Sequence, residues 1–422
     1  TYLKHMICWL KIKRKNWPII KMNSSAKVVI PVTELESPAF CSDDKEKLKA
    51  QTLIDEFAVG VRWQKIPNEY VKMDVSDLDN RIRNAKSKLS ERLLILGHHY
   101  QRDEVIQYAD YTGDSYKLSK FAASNKSAEY IVFCGVHFMA ETADILSTDF
   151  QKVVLPNLTA GCSMADMAEE DDVIDCWDDL DNLLASDGGI TPITYMNSSA
   201  AIKGLCGKNG GIVCTSSNAV DAFKWALKNN ERILFLPDQH LGRNTALKLG
   251  FKLDEMIIWN PFKPLGGNTK SAIKKAKIIL WKGHCSVHTR FNANQIDLAR
   301  SKYPDVNVIV HPECTMEVVN SADYVGSTEY IKDMIENSKQ GSTWAVGTEI
   351  SLVNRISTMY PEKNIFCLDS AVCPCSTMYR IHPAYLCWVL ESFLDGKIVN
   401  QISVEPDIKR DSIVALNRML QL

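Results

Sequence analysis

From Arg92 onward, short apolar runs alternate with amphipathic stretches of helix length, and this alternation limits what the chain can fold into. The runs are Leu93–Leu96, Tyr130–Phe133, Lys152–Leu155, Ile193–Tyr195, Ile212–Cys214, Arg232–Leu236, Glu255–Trp259, Asn307–Val310, Tyr324–Val325, Trp344–Val346 and Asn364–Cys367. Helical patterns such as Ser115–Ala123, Ala219–Leu227, Gln295–Lys302 and Ser351–Met359 lie between them. Strands that are apolar throughout, separated by helices, predict parallel sheets covered on both faces. The strands fall into three batches, which predicts an α/β chain of three small units over residues 85–163, 164–283 and 284–375. Residues 1–84 read as an N-terminal extension with lead-in helices, and residues 376–422 as C-terminal helices. Within the second batch, Glu169–Asp181 and Gly204–Gly211 read as solvated insertions.

Polar residues follow these strands closely. Leu96 leads into Gly97-His98-His99-Tyr100, Tyr195 into Met196-Asn197-Ser198-Ser199, and Cys214 into Thr215-Ser216-Ser217-Asn218. Val310 leads into His311-Pro312-Glu313-Cys314, and Val325 into Gly326-Ser327-Thr328. Open parallel sheets bind ligands at such strand ends, where helix N-terminal N–H groups also face anions. A single Ser or Asn there is ordinarily a helix cap. Five polar strand ends in one chain point to a shared site.

Composition narrows the function. The formal net charge is -2, from 49 Lys+Arg against 51 Asp+Glu, so no overall field holds nucleic acid or an anionic membrane. No apolar run approaches the roughly 18 residues of a membrane span. Thr1–Ser25 carries six basic residues and no acidic one, so an organellar address stands beside a cytoplasmic location. Thirteen cysteines, an odd count in a long chain with no secretory signal, argue against a disulfide framework and for a reducing compartment.

Most of the cysteines sit in strand-like runs and read as small hydrophobes. Cys162, Cys285 and Cys375 differ, because each lies in a loop or helix start flanked by Gly, Ser or Pro. Zinc would normally use ligand pairs two to four residues apart, and the chain lacks two such pairs. Three single thiolates suit an iron–sulfur cluster better, leaving one iron open as a Lewis acid. From spacing alone, cluster, zinc and plain buried cysteine all remain open.

Ten motifs in order carry a resemblance. They are Gly97-His-His-Tyr100, Gly113-Asp-Ser115, Phe138-Met-Ala-Glu-Thr-Ala143, Gly161-Cys-Ser-Met164, Tyr195-Met-Asn197, Thr215-Ser216, Gly283-His-Cys-Ser-Val-His288, His311-Pro-Glu-Cys314, Gly326-Ser-Thr328 and Cys375-Ser-Thr-Met378. Together, from about Leu93 to Ile381, they resemble the quinolinate synthases of de novo NAD biosynthesis. The resemblance implies three similar α/β/α units around a pseudo-threefold axis, with the active site and a [4Fe-4S] cluster at their junction. It implies Cys162, Cys285 and Cys375 as cluster ligands. It also implies a condensation of iminoaspartate with dihydroxyacetone phosphate that releases phosphate and two waters. The positions matching substrate-surrounding residues are His98, Tyr100, Ser115, Tyr195, Asn197, Ser216, His288, His311, Ser327 and Thr328. Glu313 matches a carboxylate against the open iron and is the candidate general acid/base, with Tyr100, His98 and His288 as further catalytic candidates. Ser115 could instead cap the helix that follows it. His99 stands where shorter members carry Asn, and its role is left open. Cys373 is the rival to Cys375, and the Cys-x-x-Met spacing favours Cys375. Transient contact with an L-aspartate oxidase is the expected protein partnership.

Overall fold

The computed structural model describes residues 51–57, 63–371 and 373–422, so the basic segment 1–25 lies outside the described residues. The first sheet holds β1 (Leu93–His98), β2 (Tyr111–Gly113), β3 (Tyr130–Cys134) and β4 (Lys152–Val154). The second holds β5 (Thr191–Tyr195), β6 (Ile212–Cys214), β7 (Ile233–Leu236), β8 (Met256–Trp259) and β9 (Ile278–Trp281). The third holds β10 (Asn307–Val310), β11 (Tyr324–Val325), β12 (Thr343–Gly347) and β13 (Asn364–Cys367). All of these pair in parallel, and β1, β3, β5, β7 and β9 are buried along their whole length. Continuous burial explains why the strands read as unbroken apolar runs.

The connectivity repeats. The first sheet runs β2-β1-β3-β4 and the third runs β11-β10-β12-β13, the same order of second, first, third and fourth strand. The second sheet begins likewise, β6-β5-β7, then adds β9 with β8 outside it. The chain is therefore α/β with three parallel-dominant sheets flanked by helices. A final short strand, β14 (Gln401–Ile402), joins the first sheet antiparallel to β4 and ties the C-terminal segment back to it. The helix Pro383–Leu394 packs on the lead-in helix Val75–Leu89, and Phe393 stacks on Tyr130 of β3.

Two expectations are corrected. Glu169–Asp181 is not a solvated loop, because a helix runs over Glu170–Leu184. Its Val173, Cys176, Leu180 and Leu184 form one buried stripe in the core that holds Leu234, Leu236 and Trp281. Acidic residues fill its first turn, where the helix dipole favours them. Gly204–Gly211 is no solvated loop either. Gly204 and Gly207 lie in the helix Ala200–Lys208, which packs closely on the helix Pro406–Leu420. A Cβ at Gly207 would stand 1.9 Å from the Asp411 carbonyl oxygen, so only glycine permits that approach.

Ten of the described cysteines are free, whereas Cys373 is disulfide-bonded. A chain read as lacking a disulfide framework thus contains at least one disulfide. Among the described residues, no helix is long and apolar enough to cross a membrane.

Candidate active site

The ends of all three sheets face one cavity. Its wall carries His98 from the end of β1, Tyr100, Ser115, Tyr195 from the end of β5, Asn197, Ser216, His311, Glu313 and Thr328. Cys162, Cys285 and Cys375 line the same space. Parallel strands present their carboxyl ends on one side, which is why residues as far apart in sequence as His98 and Cys375 converge here. Of the candidates read from the sequence, His288 and Ser327 stand off the wall. His288 is buried directly behind it. Ser327 caps the helix Thr328–Glu336, accepting the Tyr330 N–H at 3.4 Å, and lines the adjoining groove with Ser216.

The cap in the first unit is Asp114, not Ser115. Its Oδ1 accepts the Lys117 N–H at 2.9 Å, so Ser115 is left facing the cavity. The other carboxylate oxygen accepts the Ser217 hydroxyl at 2.8 Å, which joins the first and second strand ends. The sequence held a signal for Asp114, since Gly-Asp-Ser at a strand end is a capping pattern. His99 also acts across units. Its Nε2 lies 2.7 Å from the Glu329 carboxylate, and Lys117 Nζ lies 3.5 Å from the same oxygen. Arg355, from the third unit, donates to the His99 carbonyl at 2.9 Å and to Asp103 at 2.6 Å.

Glu313 is the cavity's best-supported anion. His288 Nδ1 is 2.7 Å from its Oε2, and the Tyr195 hydroxyl also donates to it. The His311 ring stacks on His288 at 4.4 Å and brings its Nδ1 within 3.9 Å of the same oxygen. Burial alone would raise the carboxyl's pKa, but the two imidazoles and the phenol outweigh it and hold the group below the usual carboxylate range. Burial pushes His98 and His311 down to about 3, so both are neutral near pH 7. Burial, reinforced by the Glu313 charge, pushes the Tyr100 and Tyr195 phenols well up and keeps them protonated. The wall therefore offers neutral imidazoles, phenols and hydroxyls around two carboxylates, Glu313 and the helix-capping Asp114. Asn197 adds a buried Oδ1 with no hydrogen-bond partner, an acceptor open to a ligand N–H or O–H.

The three cysteines share a local geometry. Backbone N–H groups two or three residues on face each sulfur: Met164 and Ala165 for Cys162, His288 for Cys285, Thr377 and Met378 for Cys375. Burial pushes the Cys162 thiol up to about 12, and raises Cys285 and Cys375 as well. Such thiols stay protonated until a metal displaces the proton. Their sulfurs do not all lie within 4.8 Å of one another. One tetrahedral ion, with Zn–S near 2.3 Å, could not reach all three; a polynuclear cluster spans more. The donor set thus fits an iron–sulfur cluster held at three corners.

Two buried acids missed in the sequence support these cysteines. Glu349 begins the helix Ile350–Met359, and its Oε1 accepts the Cys375 N–H at 3.0 Å. Asp238 begins the helix Gln239–Lys248, its Oδ1 accepting the His240 and Leu241 N–H groups at 2.6 and 2.9 Å, and its buried carboxylate faces the Cys285 N–H. Each follows the third strand of its unit, a position that no motif spacing marks.

Comparison with known proteins agrees with the geometry. The family described as Quinolinate synthetase A protein matches residues 80–421. The chain belongs to this family. A quinolinate synthase of Corynebacterium glutamicum is 57% identical over 361 residues, covering 86% of this chain and 91% of that protein. One from Herpetosiphon aurantiacus is 54% identical over 373 residues, covering 88% and 99%. One from Bacillus anthracis is 51% identical over 356 residues, covering 84% and 96%. The quinolinate synthase match runs through all three sheets and every cavity residue named above.

Proposed function

We propose that the chain condenses iminoaspartate with dihydroxyacetone phosphate to form quinolinate, releasing phosphate and two waters, in de novo NAD biosynthesis. The observation that carries this reading is the meeting of three free cysteines, one from each sheet's surroundings, on a single cavity beside Glu313. Cys162, Cys285 and Cys375 would hold a [4Fe-4S] cluster, which supplies a Lewis acid to a departing hydroxyl. The chain's own groups do the rest. Hydroxyls of Ser115, Ser216 and Thr328, with the helix N–H groups beside them, suit a phosphate or carboxylate. The open Asn197 Oδ1 suits the imine N–H. Glu313, an anion among protonated phenols, is placed to take a proton from substrate and return it. A reducing, cytoplasmic setting suits an enzyme that needs three free thiols, and an L-aspartate oxidase would supply the short-lived imine.

A zinc reading rests on Cys285, His288 and Glu313, whose ligand atoms lie within 4.8 Å of one another. Both ring nitrogens of His288 already have partners, Glu313 at 2.7 Å and Thr348 at 3.1 Å, which weighs against it. Metal analysis of anaerobically purified protein decides between them. We expect brown protein with iron, sulfide and negligible zinc, forming quinolinate from the two substrates. Colourless zinc-loaded protein that folds normally would overturn the cluster.

A further inference from the structure

The cavity wall has two carboxylates, and among the described residues neither a lysine nor an arginine lines it. A site for ligands that bring carboxylates and a phosphate still needs positive charge. Lys117, two residues beyond Ser115, and Arg355, which donates to the His99 carbonyl, already face Glu329 and Asp103. The second unit supplies a cation that is not spent in this way. Lys203, in the helix Ala200–Lys208, is 0% exposed and belongs to none of the sequence motifs. Its Nζ donates to the Ser198 carbonyl and lies 5.5 Å from the centre of the Phe138 ring. Phe138 lines the cavity, and so does Asn197, the residue before Ser198. The ammonium thus stands one layer behind the wall. We propose that Lys203 is a positioning residue whose buried ammonium is the counter-charge for a ligand carboxylate seated on the Phe138 and Asn197 side of the cavity.

The charge is expensive where it stands. Burial strips its water, and its reach back past the start of its own helix sets it at the positive end of the helix dipole. Among the described residues it forms no ion pair. Glu141, the carboxylate whose charge favours it, gives its Oε2 to the Ala200 N–H at 2.9 Å. One carbonyl and one aromatic face offset little of the cost of a buried ammonium. Burial pushes its pKa down to about 8, which still leaves it mostly protonated at pH 7. A cation held at such cost beside an anion site is matched by the ligand's own charge, through a low-dielectric wall that weakens the field less than water does. The open Asn197 Oδ1 fits the same ligand, taking an N–H while the neighbouring carboxylate lies toward Lys203.

This inference deepens the proposed reaction and rests on it for the identity of the ligand. Calorimetric binding to the anaerobic holoenzyme tests it, with pyridine-2,3-dicarboxylate and pyridine-2-carboxylate as probes of unequal charge. Lys203→Met removes the charge, and Lys203→Gln removes it while keeping an N–H donor for Ser198. Wild type should bind the dicarboxylate more tightly than the monocarboxylate. Both variants should lose about tenfold in affinity for the dicarboxylate and about threefold for the monocarboxylate, because the Coulomb energy scales with ligand charge. Iron content should be unchanged, and Lys203→Met should melt no lower than wild type, since it relieves an unpaired buried charge. Equal losses for the two probes would mean a structural role and overturn the inference. So would a Gln variant that binds like wild type, a Met variant that is unstable or unfolded, or a wild type that binds the dicarboxylate no better than the monocarboxylate. Should the affinities behave as expected while wild type forms no quinolinate from the two substrates, the reaction fails and the counter-charge stands.

Discussion

The first unit and the other two solve one problem differently. After the third strand of the second and third units, Asp238 and Glu349 cap the next helix and each faces the N–H of a candidate cluster cysteine, Glu349 accepting it from Cys375 at 3.0 Å. At the matching place after β3, the first unit has Val136, and no side-chain cap bond is made there. Cys162 is held instead by its own short helix, Ser163–Asp166, whose Asp166 N–H binds the Cys162 carbonyl at 3.0 Å. Two cysteines thus lean on a buried carboxylate from a neighbouring segment, and one relies on local backbone. A repeated topology does not require a repeated means of fixing the ligand.

The largest effect tests the premise of that comparison. Changing Cys162, Cys285 or Cys375 to Ser should each remove the iron and abolish quinolinate formation, because serine is a harder and far less acidic ligand. Iron and sulfide per chain, measured anaerobically, give the result. Cys373→Ser should keep its iron, since Cys373 is already disulfide-bonded and Cys375 is free. Loss of iron from Cys373→Ser with retention in Cys375→Ser would shift the ligand by two residues and dissolve the comparison.

A smaller effect sharpens it. Glu349→Ala and Asp238→Ala should lower iron retention severalfold on exposure to air, while Glu349→Gln and Asp238→Asn keep an acceptor oxygen and stay near wild type. Each alanine leaves a buried backbone N–H without its partner, a cost of about 1–3 kcal/mol. Val136→Ala should leave iron retention unchanged. If it matches the loss seen in Glu349→Ala, the first unit is supported by the same position after all, through packing.

The units differ as well in how far the sequence disclosed them. The strands and their polar ends were legible because parallel strands are apolar throughout and ligand residues follow them at once. Boundaries moved by a residue or two, as at Thr343–Gly347 against the expected Trp344–Val346. The helix Glu170–Leu184 was misread because its acids dominate the composition, although Val173, Cys176, Leu180 and Leu184 already had helical spacing. Gly204 and Gly207 were misread because glycine ordinarily breaks helices, and only the partner helix explains them. Thr348, Glu349, Asp238 and β14 were beyond reach. Their meaning lies in contacts with residues far along the chain, Thr348 with Tyr100 and His288, which no local pattern records.

The tie between the first and third units predicts an acid-dependent effect. Glu329 is half-buried, and burial opposes its charge, but His99 and Lys117 together hold its carboxyl at about 2. A depressed carboxylate contributes stability that is fully present above its unfolded value of about 4.3 and is lost as pH falls toward the folded value. Glu329→Gln should therefore be less stable than wild type by about 1–2 kcal/mol at pH 7, with the gap closing between roughly pH 4.5 and pH 2. Urea unfolding across that range reads it. A gap that persists unchanged to pH 3 would mean that Glu329 contributes by shape and not by charge.

The smallest effect belongs to cysteines that resemble the three candidates only in name. Cys134 ends β3 in the first unit and Cys214 ends β6 in the second, both fully buried. Burial pushes the Cys134 thiol up to about 12, so it is neither nucleophile nor ready ligand, and among the described residues its sulfur makes no side-chain hydrogen bond. Such a group contributes packing alone. Cys134→Ala should cost about 1 kcal/mol through the lost sulfur contacts and a small cavity. Cys134→Ser should cost more, about 2 kcal/mol, because it buries a hydroxyl where the thiol asked for no partner. Both variants should keep full iron. The order of the two is the sensitive part, since at Cys162 the choice of Ser or Ala should not matter once the iron is gone. If Cys134→Ser proves milder than Cys134→Ala, a polar partner sits beside β3 and the first unit is less dry than its apolar strands suggest.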